Sequence, residues 1–293
     1  MSTRSISSET VSAGQGGGER KTTSPLVPCI TIGIIGAMVL IALLADAIAP
    51  YSATETALMS KLLPPFSPGH ILGTDQLGRD ILSRLIHGAR VSLSVAALSI
   101  MLGGAVGTIL GIVAGYFGRV VDAFIMRVAD MMIGFPLLIL AILFAAVFGP
   151  SFANVVIILA LVMWAKFARI ARGETLRLKG KDFISAARVA GASPVQIIWQ
   201  HVVPHLLNSI LIMASLQAAW AVILEASLSF LGAGVPPPAP SWGGMISAGR
   251  TFVTVAWWLP LLPGIAIMLL VLSLNLLGDW LRDHLDPRLR QAQ

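Results

Sequence analysis

The sequence predicts an all-helical integral membrane protein with six transmembrane helices, on three grounds. Hydrophobic residues make up 56% of the chain and charged residues 12%, with a mean hydropathy of +0.85. A soluble domain runs at about 45–50% apolar and about 25% charged. The apolar residues gather into runs near the roughly 20 helical residues needed to cross a hydrocarbon core about 30 Å thick. Summed over alternate connections, Lys and Arg fall mostly on one side, the mark of cytoplasmic loops. The net charge of +6 and pI near 10.1 reflect that topological excess, so nucleic acid is not an expected partner. The only cysteine, Cys29, excludes an intrachain disulfide and a thiolate metal site.

Taken in order, residues 1–24 are rich in Ser, Thr and Gly and read as a flexible cytoplasmic tail. A first span follows within 25–50; its Ala45-Asp46-Ala47 has the form of a signal cleavage site, but the run exceeds a signal core of about 7–15 residues. An outer loop, 51–90, carries Leu77, Ile81, Leu82 and Leu85 at the spacing of an amphipathic helix lying on the membrane. The core, 91–279, holds further runs at 91–116, 124–148, 152–171, 206–231 and 257–278. Residues 280–293 read as a cytoplasmic tail. Gly103, Gly107, Gly111 and Gly115 give the second span a small-residue face suited to close packing. Pro136 is expected to kink the third. With this arrangement fifteen of the twenty Lys and Arg fall on the side of the termini, which makes both termini cytoplasmic.

The cytoplasmic connection 172–205 is too long for a simple turn and too patterned for a disordered one. Asp182 to Ala190 reads as a short helix ending at Gly191, the residue best suited to a left-handed stop. Ser193 then has the character of an N-cap, Pro194 of a first helical residue, and Gln196 completes a capping box. Two short helices around a glycine turn, presenting Ala186 and Ala187, make a compact knob for a partner's groove. The alternative is an amphipathic element held by membrane lipid. A DNA-reading role does not suit a pair tethered between spans.

The segment SAARVAGASPVQIIWQHVVPH resembles the cytoplasmic loop motif of ABC importer permeases, with Ala186, Ala187, Gly191 and Pro204 at the matching positions. Ser185 stands where that motif has Glu, which touches any ion pair made there and leaves the turn geometry in place. HILGTDQLGRDILSRLIHGARVSL, EASLSFLGAG with PPPAPSWGGMISAGR, and GDWLRDHLDPRLR are similar to the dipeptide, oligopeptide and nickel permease branch, in its second permease subunit. The resemblance implies a type I importer permease (MetI-like) fold in the bacterial inner membrane. It also implies a heterodimer with a homologous permease, two ATP-binding subunits on the coupling loop and an extracytoplasmic substrate-binding protein. Cargo would be a dipeptide or oligopeptide, with nickel complexes or glutathione as the alternative.

Further residues carry candidate roles. Glu225 is an acid within a span, hence a candidate for the translocation path or gate together with Ser229; a helix-packing hydrogen bond is the competing role. Asp75, Arg79, Asp80 and Trp242 are candidates for docking the binding protein, against capping and pairing within the loop. Asp122, Arg127 and Asp130 read as local ion pairs, and Trp242, Trp257 and Trp258 as an interfacial aromatic belt. No phosphate-cradling loop is present: Gly173 and Gly180-Lys181-Asp182 are separated by six residues and end in Asp. The chain is therefore expected to bind no cofactor and catalyse nothing, with ATP and Mg on the partner subunits. An ion-coupled carrier would show inverted repeats with midplane charges, and an intramembrane enzyme a catalytic constellation; neither pattern is visible.

Overall fold

A computed structural model of the chain describes residues 26–285, so the tail expected over 1–24 and residues 286–293 lie outside the described residues. The first apolar run forms α1 (Leu26–Leu43) and the four-residue α2 (Ala45–Ile48). α3 (Ile81–Phe117) is 37 residues long, roughly 55 Å at 1.5 Å per residue. Asp80 caps it, accepting from the Ser83 amide at 2.8 Å and the Ser83 hydroxyl at 2.7 Å. The membrane-surface helix expected around Leu77 to Leu85 is thus no separate element. Ile81, Leu82 and Leu85 are the opening turns of a long spanning helix, with Ile81 buried.

The third span departs further from expectation. α4 (Arg119–Gly134) and α5 (Leu137–Phe148) meet at 88°, a break rather than a kink. Phe135 is extended at ψ 132°, the conformation imposed on a residue before proline, and Pro136 stands at the N-cap of the new helix. α6 (Phe152–Lys179) is capped by Ser151, which accepts from the Asn154 amide at 3.1 Å. It runs past Ala171, so much of the expected cytoplasmic loop is an extension of the span. α7 (Asp182–Val189) and α8 (Pro194–Ile197) follow, and a π-turn over Ile198–Val202 joins α8 to α9 (Val203–Phe230). Pro204 lacks an amide and crowds the carbonyl four residues back, and a widened turn there removes the clash. α10 (Trp242–Gly249) is a short helix that hydropathy did not foretell, and α11 (Trp258–Leu285) absorbs the start of the expected C-terminal tail. Among the described residues four helices are long and apolar enough to span alone, the α4–α5 pair makes a fifth if it counts as one span, and α1 is a shorter apolar helix. The predicted count of six therefore holds only if that pair and α1 both cross.

The glycine face packs as expected. A Cβ at Gly103 meets the Ala160 carbonyl oxygen at 2.8 Å, one at Gly107 or Gly111 runs into the carbonyl of Trp164 or Ala168, and one at Gly115 meets Thr175 Cβ at 2.8 Å. α3 and α6 are thereby in backbone contact over more than three turns. Around this pair, Met163 and Phe167 join Trp242, Trp258, Val222 and Leu270 in the main core. Trp242 and Trp258 are buried, and only Trp257 of the expected belt is exposed. The reason is polar as well as apolar: Trp242 Nε1 donates to the Leu85 carbonyl at 3.0 Å and Trp258 Nε1 to the Thr74 carbonyl at 3.3 Å.

Candidate functional site

Between α6 and α9 the chain forms the two short helices and glycine turn that its sequence foretells. Gly191 closes α7 at φ +84°. Its amide donates to the Arg188 carbonyl and the Ala192 amide to the Ala187 carbonyl, both at 3.0 Å. These paired bonds and the left-handed glycine make a Schellman stop, with Ala192 and Ala187 packed in the same apolar cluster. Ser193 then caps α8, accepting from the Gln196 amide at 3.3 Å, with Pro194 at the first helical position. Ile184 is the one buried residue of α7; it packs with Ile197, Leu178 and Tyr116. Lys179 Nζ donates to the Tyr116 carbonyl at 2.6 Å, tying the end of α6 to the end of α3. Asp182, Ala186, Gly191 and Pro204 stay exposed, and Val189 is 91% exposed.

Glu225 is fully buried within the chain. Its carboxylate accepts from Ser92 Oγ at 3.1 Å and Ser229 Oγ at 2.8 Å, and Ser229 Oγ lies 3.3 Å from Ser241 Oγ. Ser241 caps α10, accepting from the Gly244 amide at 3.1 Å, and Ser92 Oγ accepts from the Trp242 amide at 3.3 Å. The group pins α10 to α3 and α9. Of the two roles weighed for Glu225, helix packing is the one its surroundings supply; Ser229 also borders an outer cavity of about 430 Å³ with Arg79, Arg84 and Ser241.

The four residues offered for docking turn inward. Asp75, Arg79, Asp80 and Trp242 are all buried. Asp75 accepts from Arg79 Nε at 2.6 Å and from the Leu77 and Arg79 amides, and Arg84 donates to the Ala53 carbonyl at 3.0 Å. Asp80 also takes His70 Nδ1 at 2.9 Å. These groups fold the outer loop onto α3 and leave little surface for a partner. Asp122 and Asp130 pair across to α6 rather than along α4: Arg172 Nη2 reaches Asp122 at 2.7 Å and Arg169 reaches Asp130 at 2.7 Å. Arg127 is exposed.

The charge count misplaces one polar group. Lys166, one of the fifteen Lys and Arg assigned to the side of the termini although it falls within the run 152–171, sits mid-way along α6. Its Nζ lies 3.5 Å from the Trp220 ring centroid and 3.4 Å from Gln217 Oε1, both on α9. The α6 apolar run continues on either side of it, a signal that could have placed it inside the span.

Comparison with known proteins settles the class. A family described as binding-protein-dependent transport system inner membrane component matches residues 107–291. The chain belongs to this family. Among its relatives, a peptide transport system permease protein of Brucella suis, named there as putative, is 41% identical over 263 residues, 88% of each chain. The dipeptide permease DppC of Haemophilus influenzae is 39% identical over 267 residues, 89% of this chain and 90% of its own. The glutathione permease GsiD of Pectobacterium atrosepticum is 41% identical over 253 residues, 86% of this chain and 84% of its own. In the solved MetNI methionine ABC transporter, captured facing inward, one chain aligns with a TM-score of 0.55 at 19% identity, covering 69% of this chain and 96% of that one. This inner membrane component is thus a multi-pass ABC importer permease with the MetI-like fold.

Proposed function

We propose that this permease forms, with a homologous partner, the path by which peptides enter the cell from an extracytoplasmic binding protein. Two ATP-binding subunits, carrying the ATP and Mg that this chain has no loop to hold, would each grip one cytoplasmic knob. The knob carries the reading. A helix held to the bundle by Ile184, closed by a Schellman glycine and tipped with an almost fully exposed Val189 suits a partner's groove. Ala186 and Ala187 let that partner approach closely, and both termini lie on the same cytoplasmic side by the positive-charge count. Closure of the ATPases would swing the knobs and turn the permease pair between its two faces. Glutathione is the second cargo reading, supported by the 41% identity to a glutathione permease; nickel complexes rest on the branch resemblance alone.

The test is affinity purification of a tagged chain from its native membrane. Recovery of a second permease and two ATPases, with ATP hydrolysis raised by loaded binding protein, is the expected result. Uptake of labelled dipeptides in vesicles, competed by glutathione or not, then assigns cargo. A chain that transports alone, driven by an ion gradient, would overturn the proposal.

A further inference from the structure

A charge in the middle of α6 has no part in the roles described so far. Lys166 stands fourteen residues after Phe152, roughly 21 Å along the helix at 1.5 Å per residue. Its contact on α9, Gln217, is the fifteenth residue of a 28-residue helix, so the two helices meet at Lys166 near their midpoints. Lysine in a span commonly extends its stem toward the interface. Here the ammonium is instead drawn across onto the Trp220 ring and the Gln217 amide oxygen. One ring face and one acceptor leave part of its three-donor capacity unused, and the side chain is only half-buried.

Three residues further along the same face of α6, Arg169 pairs with Asp130 of α4, and both are exposed. Ionised groups facing hydrocarbon are costly, and those within spans face bundle interiors or water-filled cavities and mark substrate routes. Lys166, Gln217, Arg169 and Asp130 therefore trace a polar strip within the inner half of the expected span, on α4, α6 and α9. Glu225, by contrast, is enclosed and saturated by serine hydroxyls.

We propose that Lys166 binds the carboxylate of the cargo in the inner half of the translocation path, with Gln217 and Trp220 holding the ammonium ready between cargo molecules. The inference rests on the peptide reading above, since every unmodified peptide ends in a carboxylate; glutathione shares that chemistry.

The test uses the whole importer, reconstituted in vesicles with its binding protein. Lys166→Met should lower dipeptide uptake by roughly tenfold or more while ATP hydrolysis stimulated by loaded binding protein stays within about twofold of wild type, and Lys166→Arg should keep most uptake. In a Cys29→Ser background, Lys166→Cys should react from the cytoplasmic side with charged methanethiosulfonates. The aminoethyl reagent, which restores a cation, should recover uptake, and the sulfonatoethyl reagent should not. Parallel uptake assays with a dipeptide and with glutathione tell the two carboxylate sources apart. The inference is overturned if Lys166→Met transports within about twofold of wild type. It is also overturned if stimulated hydrolysis falls together with uptake, which marks a structural strut, or if the thiol of the Lys166→Cys variant resists both reagents. A wild-type importer that moves neither cargo overturns the cargo reading and this inference with it, whereas normal wild-type uptake beside an unaffected variant overturns this inference alone.

Discussion

Replacing Gly191 with Val separates backbone strain from every other effect at the knob. A Cβ at this position has no heavy atom within 4 Å, so the substitution adds no clash. What it adds is a side chain at φ +84°, which costs an L-residue roughly 1–2 kcal/mol. That cost shifts the turn's population by a factor of about 5–30, small beside the burial that holds the bundle. Gly191→Val should therefore insert and accumulate normally, while the Schellman bonds to Ala187 and Arg188 loosen and α7 tilts about Ile184. In the reconstituted importer, uptake should fall at least about fivefold, with lost ATPase docking or with hydrolysis no longer raised by loaded binding protein. Gly191→Asn, which tolerates the left-handed conformation, should retain most activity. Gly36→Ala on α1 is the control, because nothing lies within 4 Å of its Cβ either. Wild-type uptake by Gly191→Val would refute the coupling role given to this turn.

Gly107→Ala and Gly111→Ala drive a methyl into the carbonyls of Trp164 and Ala168; overpacking of this kind costs about 1–3 kcal/mol, read as a lower melting temperature of the detergent-purified chain, with Gly36→Ala unchanged. Glu225→Leu removes the acceptor for Ser92 and Ser229, and stranding buried hydroxyls costs about 1–3 kcal/mol; thermal stability should drop, whereas Glu225→Gln, which keeps an acceptor oxygen, should lose less. In a Cys29→Ser background, Phe66→Cys, at an 87% exposed outer site, should react with an impermeant thiol reagent on intact cells, and Val189→Cys only after lysis; labelling of position 189 from outside would reverse the topology.

The knob is legible in the sequence because its determinants are local. Gly191, Ser193, Pro194 and Gln196 each act within one turn of themselves, so their order along the chain already describes their geometry. Element ends are legible only where a breaker stands. Arg84 and Arg90 read as the edge of the second span, yet their guanidinium groups reach the Ala53 and Ala42 carbonyls and α3 runs through them. Arg172 and Arg177 likewise read as the edge of a span, yet α6 runs through them to Lys179. The break at Pro136 is visible, but its 88° depends on how α5 settles against α6 and α9, which no local pattern records. Residue type alone assigns Trp242 and Trp258 to the membrane interface; the carbonyls that bury them, at Leu85 and Thr74, are more than 150 residues away in sequence.

The glycine contact between α3 and α6 has a mechanical meaning. Where two helices touch through backbone atoms there are no side-chain rotamers between them to give, so the pair behaves as a single stiff beam. At its inner end Lys179 on the Tyr116 carbonyl ties α6 to α3, and Ile184 of α7 packs there against Tyr116 and Leu178. Its outer end carries Asp80, Ser83, Ser92 and the Leu85 carbonyl that holds Trp242. In the coupling proposed above, a push delivered beside α7 would arrive at the loop before α3 and at α10 as displacement rather than being lost as local repacking. The irregular points of the bundle lie elsewhere in the chain, at the α4–α5 break, the π-turn before Pro204 and Pro263 within α11.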